Sequence, residues 1–379
     1  MSLCLSLVSG ASYSRHAAIL IDADNGKVIF EQDANHAWFP ASLTKVMTLY
    51  MAFSALRQGE IQLNEMMTTS SYAARQPNSK LGLRTGENLS VEEAILALIT
   101  RSANDAAVVL AEHLGGNEDN FAVRMTAKAH ALGMYDTHFM NATGLPHQWQ
   151  VTTPRDLGLL AYRTLHDFPN YYPYFASHNF YFRGQELRGI NKFTANYPGA
   201  EGMKTGFTCG SGYNLMSSAQ QNGKRLIGVV MGGMTSSERY QLMTSMMDDG
   251  FGNALNDYPN KTITAIPAKF PSTPPYQLGC GHDAPRHSYA QYTPPKRHHS
   301  KTLTHSRHAH ISHPSGKHKK AIRIAKNTNK SHPPSLAKFT KAHHRSTLKT
   351  SKTNVRSTSK ISKLTKTIKP NKSRYHRNG

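Results

Sequence analysis

Acidic side chains are almost missing from the C-terminal part of this 379-residue chain. Residues 281–379 contain a single acid, Asp283, against 24 lysines and arginines, whereas residues 1–280 hold 22 acids and 21 such bases. The net charge of +22 therefore belongs to the C-terminal part. Apolar residues are also scarce there, so the segment cannot bury enough surface to offset its ordering entropy. We expect residues 267–379 to form a Pro-containing linker and a disordered basic tail.

Long apolar runs and cysteines are few as well. No run approaches the roughly 18 apolar residues that a membrane-spanning helix needs. Residues 1–12 combine a short apolar stretch with small residues, so we interpret them as the remnant of a secretion signal, with a ragged terminus as the alternative. Of the three cysteines, Cys4, Cys209 and Cys280, the second could pair with the third, but we expect Cys209 to be free.

The tail also holds 13 of the 21 histidines, scattered without the spacing of a closed metal site. We therefore expect neither a metal ion nor a cofactor. The charge density favours salt-dependent binding to an anionic cell-wall polymer or membrane surface, without specific nucleic-acid recognition. A solvated appendage with no specific partner is the alternative.

Three short motifs are present, in a fixed order. They are Ser42-x-x-Lys45, Ser102-x-Asn104 and Lys204-Thr205-Gly206. Each is weak alone, because the tail contains further Ser-x-x-Lys pairs, which begin at Ser335, Ser346 and Ser357. Their order and local context carry the signal.

The predicted local structure around each motif suits a reactive site. An apolar helical run, 46–56, follows Ser42 and predicts that the serine lies at a helix N-terminus. A capping box begins at Ser90, and the helical patterns on both sides of 102–104 predict a junction between helices. A predicted hairpin over 212–231 places Lys204 on or beside a strand.

The first motif pairs a hydroxyl with an amine on one helix face. A serine is a poor nucleophile until a neighbouring base takes its proton, and Lys45 can be that base if its pKa falls. We expect burial and the nearby charge of Lys204 to lower it. The alternative is an ordinary helix start with a solvated lysine.

Predicted strands lie at both ends of residues 13–266, and helical patterns lie between them. We predict an α/β (α+β) domain with a mainly antiparallel central sheet, flanking helices and an inserted all-helical lobe. A helix is expected from Pro154, with Asp156 as a first-turn charge rather than a catalytic group. The stretch 171–193 is expected to be aromatic and irregular.

These motifs resemble those of the D-alanyl-D-alanine carboxypeptidases, the low-molecular-weight penicillin-binding family of serine peptidases. The resemblance covers residues 17 to about 252 and includes 17–22, 40–45, 100–111, 139–145, 152–157 and 201–215. It implies a β-lactamase-like fold and removal of the terminal D-alanine from peptidoglycan stem peptides outside the cytoplasm. It also implies acylation by β-lactams.

The resemblance assigns roles residue by residue. Ser42 would be the nucleophile, Lys45 its base, and Ser102 the donor of a proton to the leaving amine. Asn104 would orient Lys45 and bind the substrate amide. Lys204, Thr205 and Gly206 would form the substrate-binding strand. The backbone N–H groups of Ser42 and Phe207 would form an oxyanion hole, and Arg239 would bind the substrate carboxylate.

Other functions share these residues. A class A β-lactamase needs a glutamate before Lys-Thr-Gly, but residues 139–155 contain no acid. The sequence does not distinguish a D,D-endopeptidase, which cuts peptidoglycan cross-links, from a carboxypeptidase. A catalytically silent polymer-binding protein is disfavoured by the intact motifs. Many family members carry a following β-sandwich domain, and we expect none here because the apolar alternation ends near residue 266.

Overall fold

The computed structural model describes residues 16–255 and 261–266. The strands in this part are β1 (Ala17–Asp22), β2 (Val28–Gln32), β3 (Met66–Thr68), β4 (Asn88–Ser90), β5 (Asn179–Phe182), β6 (Gln185–Arg188), β7 (Ala200–Thr208), β8 (Gly212–Gln221) and β9 (Lys224–Gly233). The α-helices are α1 (Thr44–Gln58), α2 (Ser71–Ala74), α3 (Val91–Thr100), α4 (Asn104–Gly115), α5 (Glu118–Ala131), α6 (Pro154–Asp167), α7 (Lys192–Asn196) and α8 (Ser236–Phe251). The expected signal remnant 1–12 and the linker and tail 267–379 lie outside the described residues.

Five strands form an antiparallel sheet in the order β2-β1-β9-β8-β7. Its centre joins the two ends of the domain, because β1 pairs with β9, with Ala18 opposite Val230. Helices α1–α6 all lie between β2 and β7 in the chain. The predicted antiparallel sheet with flanking helices is confirmed, and β7, which carries Lys204, is an edge strand. The inserted lobe is not all-helical as predicted, because β3 and β4 pair as a two-stranded sheet between α1 and α3.

The sheet has a hydrophobic core on each face. Alternate residues of β1 contribute to the two cores, Ile19 to one and Leu20 to the other. Helix α8 covers the second face with buried methionines such as Met247. Helix α1 is buried on all sides from Thr44 to Leu56 and forms the centre of the first core. Among the described residues, no helix is both long and apolar enough to cross a bilayer.

Local signals at helix starts are reproduced in the structure. The capping box begins α3, where Ser90 and Glu93 exchange hydrogen bonds. Pro154 occupies the first turn of α6, as predicted. Asp156 lies in the same first turn, where its buried carboxylate accepts a hydrogen bond from the Thr137 hydroxyl at 2.7 Å and pairs with Arg155.

The stretch 171–193 is more regular than predicted. It contains a 3-10 turn, Tyr172–Ala176, and a hairpin of β5 and β6. Arg183 and Gly184 form the two-residue connection, with φ angles of 50° and 72°. Such turns need two residues with positive φ, and arginine is not among the residue types that signal them, which explains the wrong prediction.

Candidate active site

Ser42 lies in the 3-10 turn Ala41–Leu43, which runs directly into α1. The preceding residue, Ala41, has φ +47°, a left-handed conformation that is unfavourable for a residue with a Cβ. Lys45 follows in the first turn of α1, and its Nζ lies 3.3 Å from Ser42 Oγ. The spacing therefore brings hydroxyl and amine together as predicted.

The Lys45 amine is completely buried and has two further hydrogen-bond partners. Nζ donates to Asn104 Oδ1 at 2.7 Å and to the Thr143 carbonyl at 2.5 Å. These acceptors come from α4 and from the loop after α5. They fix the direction of two amine N–H bonds, so the remaining position on the nitrogen faces Ser42.

Burial lowers the pKa of Lys45 to about 7, while the carboxylates of Glu118 and Asp105 oppose that change. The direction and the effect of burial agree with the prediction, because desolvation of the charged form is the largest contribution. Repulsion from Lys204, the other predicted cause, is not among the main contributions to the pKa of Lys45.

Ser102 and Asn104 lie at the junction between α3 and α4, as predicted. Ser102 is buried and has φ +57°, so it is, after Ala41, a second residue with a Cβ in the left-handed region close in sequence to a motif residue that contacts Lys45. Asn104 is the first residue of α4; its Nδ2 donates to the Pro77 carbonyl at 2.9 Å. Because that bond fixes which end is the oxygen, Oδ1 faces Lys45.

Strand β7 supplies Lys204, Thr205 and Gly206, all of which are buried. Lys204 Nζ donates to the Thr205 carbonyl at 2.8 Å. A Cβ added at Gly206 would lie 3.0 Å from Ser42 N and 3.3 Å from Leu43 N. The glycine therefore allows the edge strand to approach the start of the 3-10 turn. Phe207 is 46% exposed and stacks on Tyr213.

Arg239, on α8, is buried behind β7. Its Nη1 donates to the carbonyls of Gly206 and Asn214, each at 3.2 Å, and Nη2 donates to Tyr240 Oη at 2.9 Å. Burial holds the pKa of Lys204 well below its usual range, and the positive charges of Lys45 and Arg239 act in the same direction. Three basic groups thus converge at β7, an arrangement that favours an anionic ligand.

The loop 139–151 forms the other wall of the site. Asn141 Oδ1 accepts hydrogen bonds from the backbone of Thr143 and Gly144, which gives the loop a fixed shape. Gly144 has φ +83° and packs so tightly on Ala41 that a Cβ would overlap the Ala41 carbonyl. A groove of about 360 Å³ runs beside this contact, between the loop and the end of β7.

Comparison with known proteins agrees with this geometry. A family profile described as D-alanyl-D-alanine carboxypeptidase matches residues 7–235. The chain belongs to this family of serine peptidases. D-alanyl-D-alanine carboxypeptidase DacF of Bacillus subtilis is 32% identical over 270 residues, 69% of each chain. DacC of Escherichia coli is 35% identical over 251 residues, 64% of this chain and 63% of the relative.

Solved structures show the same fold. Penicillin binding protein 5 from Haemophilus influenzae superposes with a TM-score of 0.61 and 31% identity, over 64% of this chain and 72% of that one. Penicillin-Binding Protein D2 from Listeria monocytogenes, solved in an ampicillin-bound form, superposes with a TM-score of 0.55 and 30% identity. The match covers 63% of this chain and 97% of that one.

Two contributors to this carboxypeptidase-family site were missed from sequence. The Thr143 carbonyl contacts Lys45 through the backbone, which no side-chain motif can reveal. Glu118, at the start of α5, reaches the same loop from outside residues 139–155. The sequence signal for Glu118 is limited to its position near the end of the predicted helical lobe.

The expectation of a free Cys209 is wrong, because Cys209 is disulfide-bonded. It lies in the exposed turn after β7 and lines the groove. The exposed position of Cys209 in a turn makes its thiol accessible for pairing, and sequence spacing does not reveal that exposure. The other two cysteines, Cys4 and Cys280, lie outside the described residues.

Proposed function

We propose that this protein is a serine D,D-carboxypeptidase that releases the terminal D-alanine from peptidoglycan stem peptides through an acyl-enzyme on Ser42. The observation that carries the proposal is the buried Lys45 amine, which contacts Ser42 and is held by two fixed acceptors.

Lys45 acts as the general base in this mechanism. In the neutral amine, two N–H bonds point to Asn104 and Thr143, so the lone pair is free to take the Ser42 proton. A pKa of about 7 keeps a large share of the amine in the basic form near neutral pH. Attack on the D-alanyl carbonyl then forms the tetrahedral intermediate.

The oxyanion is stabilised by the backbone N–H groups of Ser42 and Phe207. The close approach of β7 at Gly206 supports this role, because it brings the two segments together. Ser102 passes a proton to the leaving amine, and Asn104 also binds the substrate amide. Water then attacks the acyl-enzyme and regenerates Ser42.

The free carboxylate of the substrate is bound at β7. Thr205 offers a hydroxyl, while Lys204 and Arg239 supply positive potential. An arriving carboxylate raises the pKa of Lys204, so anion binding favours the charged amine. The groove beside Gly144 accommodates the stem peptide on the acyl side.

β-Lactams are expected to acylate the same serine. The enzyme acts on the cell wall outside the cytoplasm, in the periplasm or an equivalent compartment.

Residues 281–379 tether it to an anionic wall polymer or membrane surface, because their charge supports sequence-independent attraction.

The deciding experiment is intact-protein mass spectrometry after incubation with a penicillin, together with D-alanine release from a pentapeptide stem. Wild type should gain one adduct and release D-alanine, and Ser42→Ala should do neither. Ser346→Ala removes another Ser-x-x-Lys serine and should behave as wild type. Rapid penicillin loss without an adduct would indicate a β-lactamase, and an adduct on Ser42→Ala would overturn the proposal.

A further inference from the structure

Glu118 links the start of α5 to the active-site loop, although it belongs to none of the three motifs. The residue is 6% exposed. Its Oε1 accepts a hydrogen bond from the Ala142 N–H at 2.9 Å, and its Oε2 accepts one from the Tyr72 hydroxyl at 2.8 Å. Both oxygens therefore have fixed donors, and the positive end of α5 favours the carboxylate charge.

The peptide group anchored by Glu118, between residues 141 and 142, lies two peptide groups before the one whose carbonyl contacts the base. The Ala142 carbonyl accepts a hydrogen bond from Thr48 Oγ1 at 2.8 Å, and the next carbonyl, of Thr143, accepts one from Lys45. Lys45 and Thr48 are three residues apart on α1. The loop is thus held between α5 on one side and α1 on the other.

We propose that Glu118 is a positioning residue, which fixes the Ala142–Thr143 segment so that the Thr143 carbonyl holds the Lys45 amine against Ser42. This inference rests on the proposed function, in which Lys45 is the base.

Lys45 faces charged groups from three elements. Glu118 comes from α5, Asp105 from α4 and Lys204 from β7. The two carboxylates raise the pKa of Lys45 against the larger effect of burial. The carboxylate of Asp105 is hydrogen-bonded to other groups. Its oxygens accept hydrogen bonds from the backbone N–H groups of residues 81–83 and of its own helix.

Glu118 has its own charged neighbours. Burial raises its pKa, and the carboxylates of Asp119 and Glu112 act in the same direction. The hydrogen bonds from Ala142 and Tyr72 oppose that rise and favour the ionised form. Removing the charge of Glu118 should therefore lower the pKa of Lys45 further, so that the base is available at lower pH.

The first test compares the pH dependence of penicillin acylation in wild type and Glu118→Gln. Glutamine can still accept from Ala142 but carries no charge. The midpoint of the rising limb should move to lower pH by about 0.5–1 unit. Glu112→Gln is the matched control: this acid accepts a hydroxyl bond from Ser70 at 2.8 Å nearby and should leave the midpoint unchanged.

Two further variants separate the anchor from the charge. Tyr72→Phe removes one hydrogen bond from Glu118 and keeps its charge, so the midpoint should stay while the plateau rate falls by about threefold. Glu118→Ala leaves the Ala142 N–H unpaired and should lower the plateau by about 100-fold. Thermal unfolding of both variants shows how much of the loss comes from stability.

A measurement independent of catalysis keeps the two proposals apart. The Lys45 Cε resonance, assigned by its loss in Lys45→Arg, is titrated by NMR in Ser42→Ala alone and in combination with Glu118→Gln, Glu118→Ala or Glu112→Gln. Glu118→Gln removes only the charge, whereas Glu118→Ala also removes the anchor, so a Lys45 pKa that falls further in Glu118→Ala than in Glu118→Gln supports the inference. Equal Lys45 pKa values in these two variants, or an equal shift from Glu112→Gln, overturn it. Absence of any penicillin adduct on wild type would instead refute the proposed function.

Discussion

At the residue scale, the proposed chemistry depends on the protonation of one amine. Because burial lowers the pKa of Lys45 to about 7, the neutral fraction should fall about tenfold for each pH unit below that value. The rate of acylation by a penicillin should therefore rise from pH 5 and level off above pH 7–8. Rates measured by mass spectrometry between pH 5 and 9 test this, and a flat profile would contradict the role of Lys45 as the base.

Asn104 offers a second test of the same amine. Asn104→Asp replaces the amide that contacts Lys45 with a carboxylate, which raises the pKa of Lys45. Acylation at pH 7 should fall by about 10–100-fold and recover in part at pH 9.

Asn104→Ala serves as the comparison. It removes the acceptor without adding a charge, so its loss of acylation should not recover at high pH. Equal pH profiles for the two variants would show that Asn104 acts only through packing.

At the element scale, the approach of β7 to the 3-10 turn decides whether the site forms. Gly206→Ala should push the strand from Ser42 N, because the added Cβ has only 3.0 Å available. We expect acylation to slow by at least about 100-fold, with a stability loss of about 1–2 kcal/mol.

Gly59→Ala is the control for that loss. Gly59 ends α1 with φ +72° and has open space around it, so alanine should cost about 1 kcal/mol through backbone strain alone. Its acylation rate should match wild type. Equal slowing in both variants, measured beside urea unfolding, would mean that general destabilisation explains the effect of Gly206→Ala.

Elements with strong local signals were predictable, and those fixed by tertiary contacts were not. The capping box at Ser90 and the Pro154 helix start are encoded within four residues and appear as predicted. The β5–β6 hairpin was missed because its turn begins with Arg183, whose positive φ depends on its surroundings. The motif spacing indicated the contact of Lys45 with Ser42. The contact of Glu118 with the active-site loop could not be predicted, because it depends on how α5 packs against that loop.

At the scale of the whole molecule, the site is assembled from segments far apart in the chain. Ser42, Asn104, Thr143 and Gly206 meet because the 3-10 turn packs on β7 and α1 packs on α4 and α5. Family resemblance could predict this convergence, whereas composition could predict only the separation of a near-neutral domain from a basic tail. The hydrogen bonds that tune Lys45 follow from the packing of the inserted lobe.

The tail should act independently of the chemistry. A chain that ends at residue 280 retains Cys280 and every residue proposed for catalysis, so its acylation rate should remain within about twofold of wild type. Its sedimentation with purified cell-wall sacculi should be lost, because it no longer carries the 24 basic residues of the tail.

A length-matched control replaces these 24 lysines and arginines with glutamine. If charge is responsible, this variant should fail to sediment, and wild-type binding should weaken steeply as salt rises, since mobile ions screen and compete with the tail. Sedimentation of the truncated chain equal to wild type at physiological salt would assign wall attachment to residues 1–280. Retained binding of the glutamine variant would assign it to the tail by a contact other than charge.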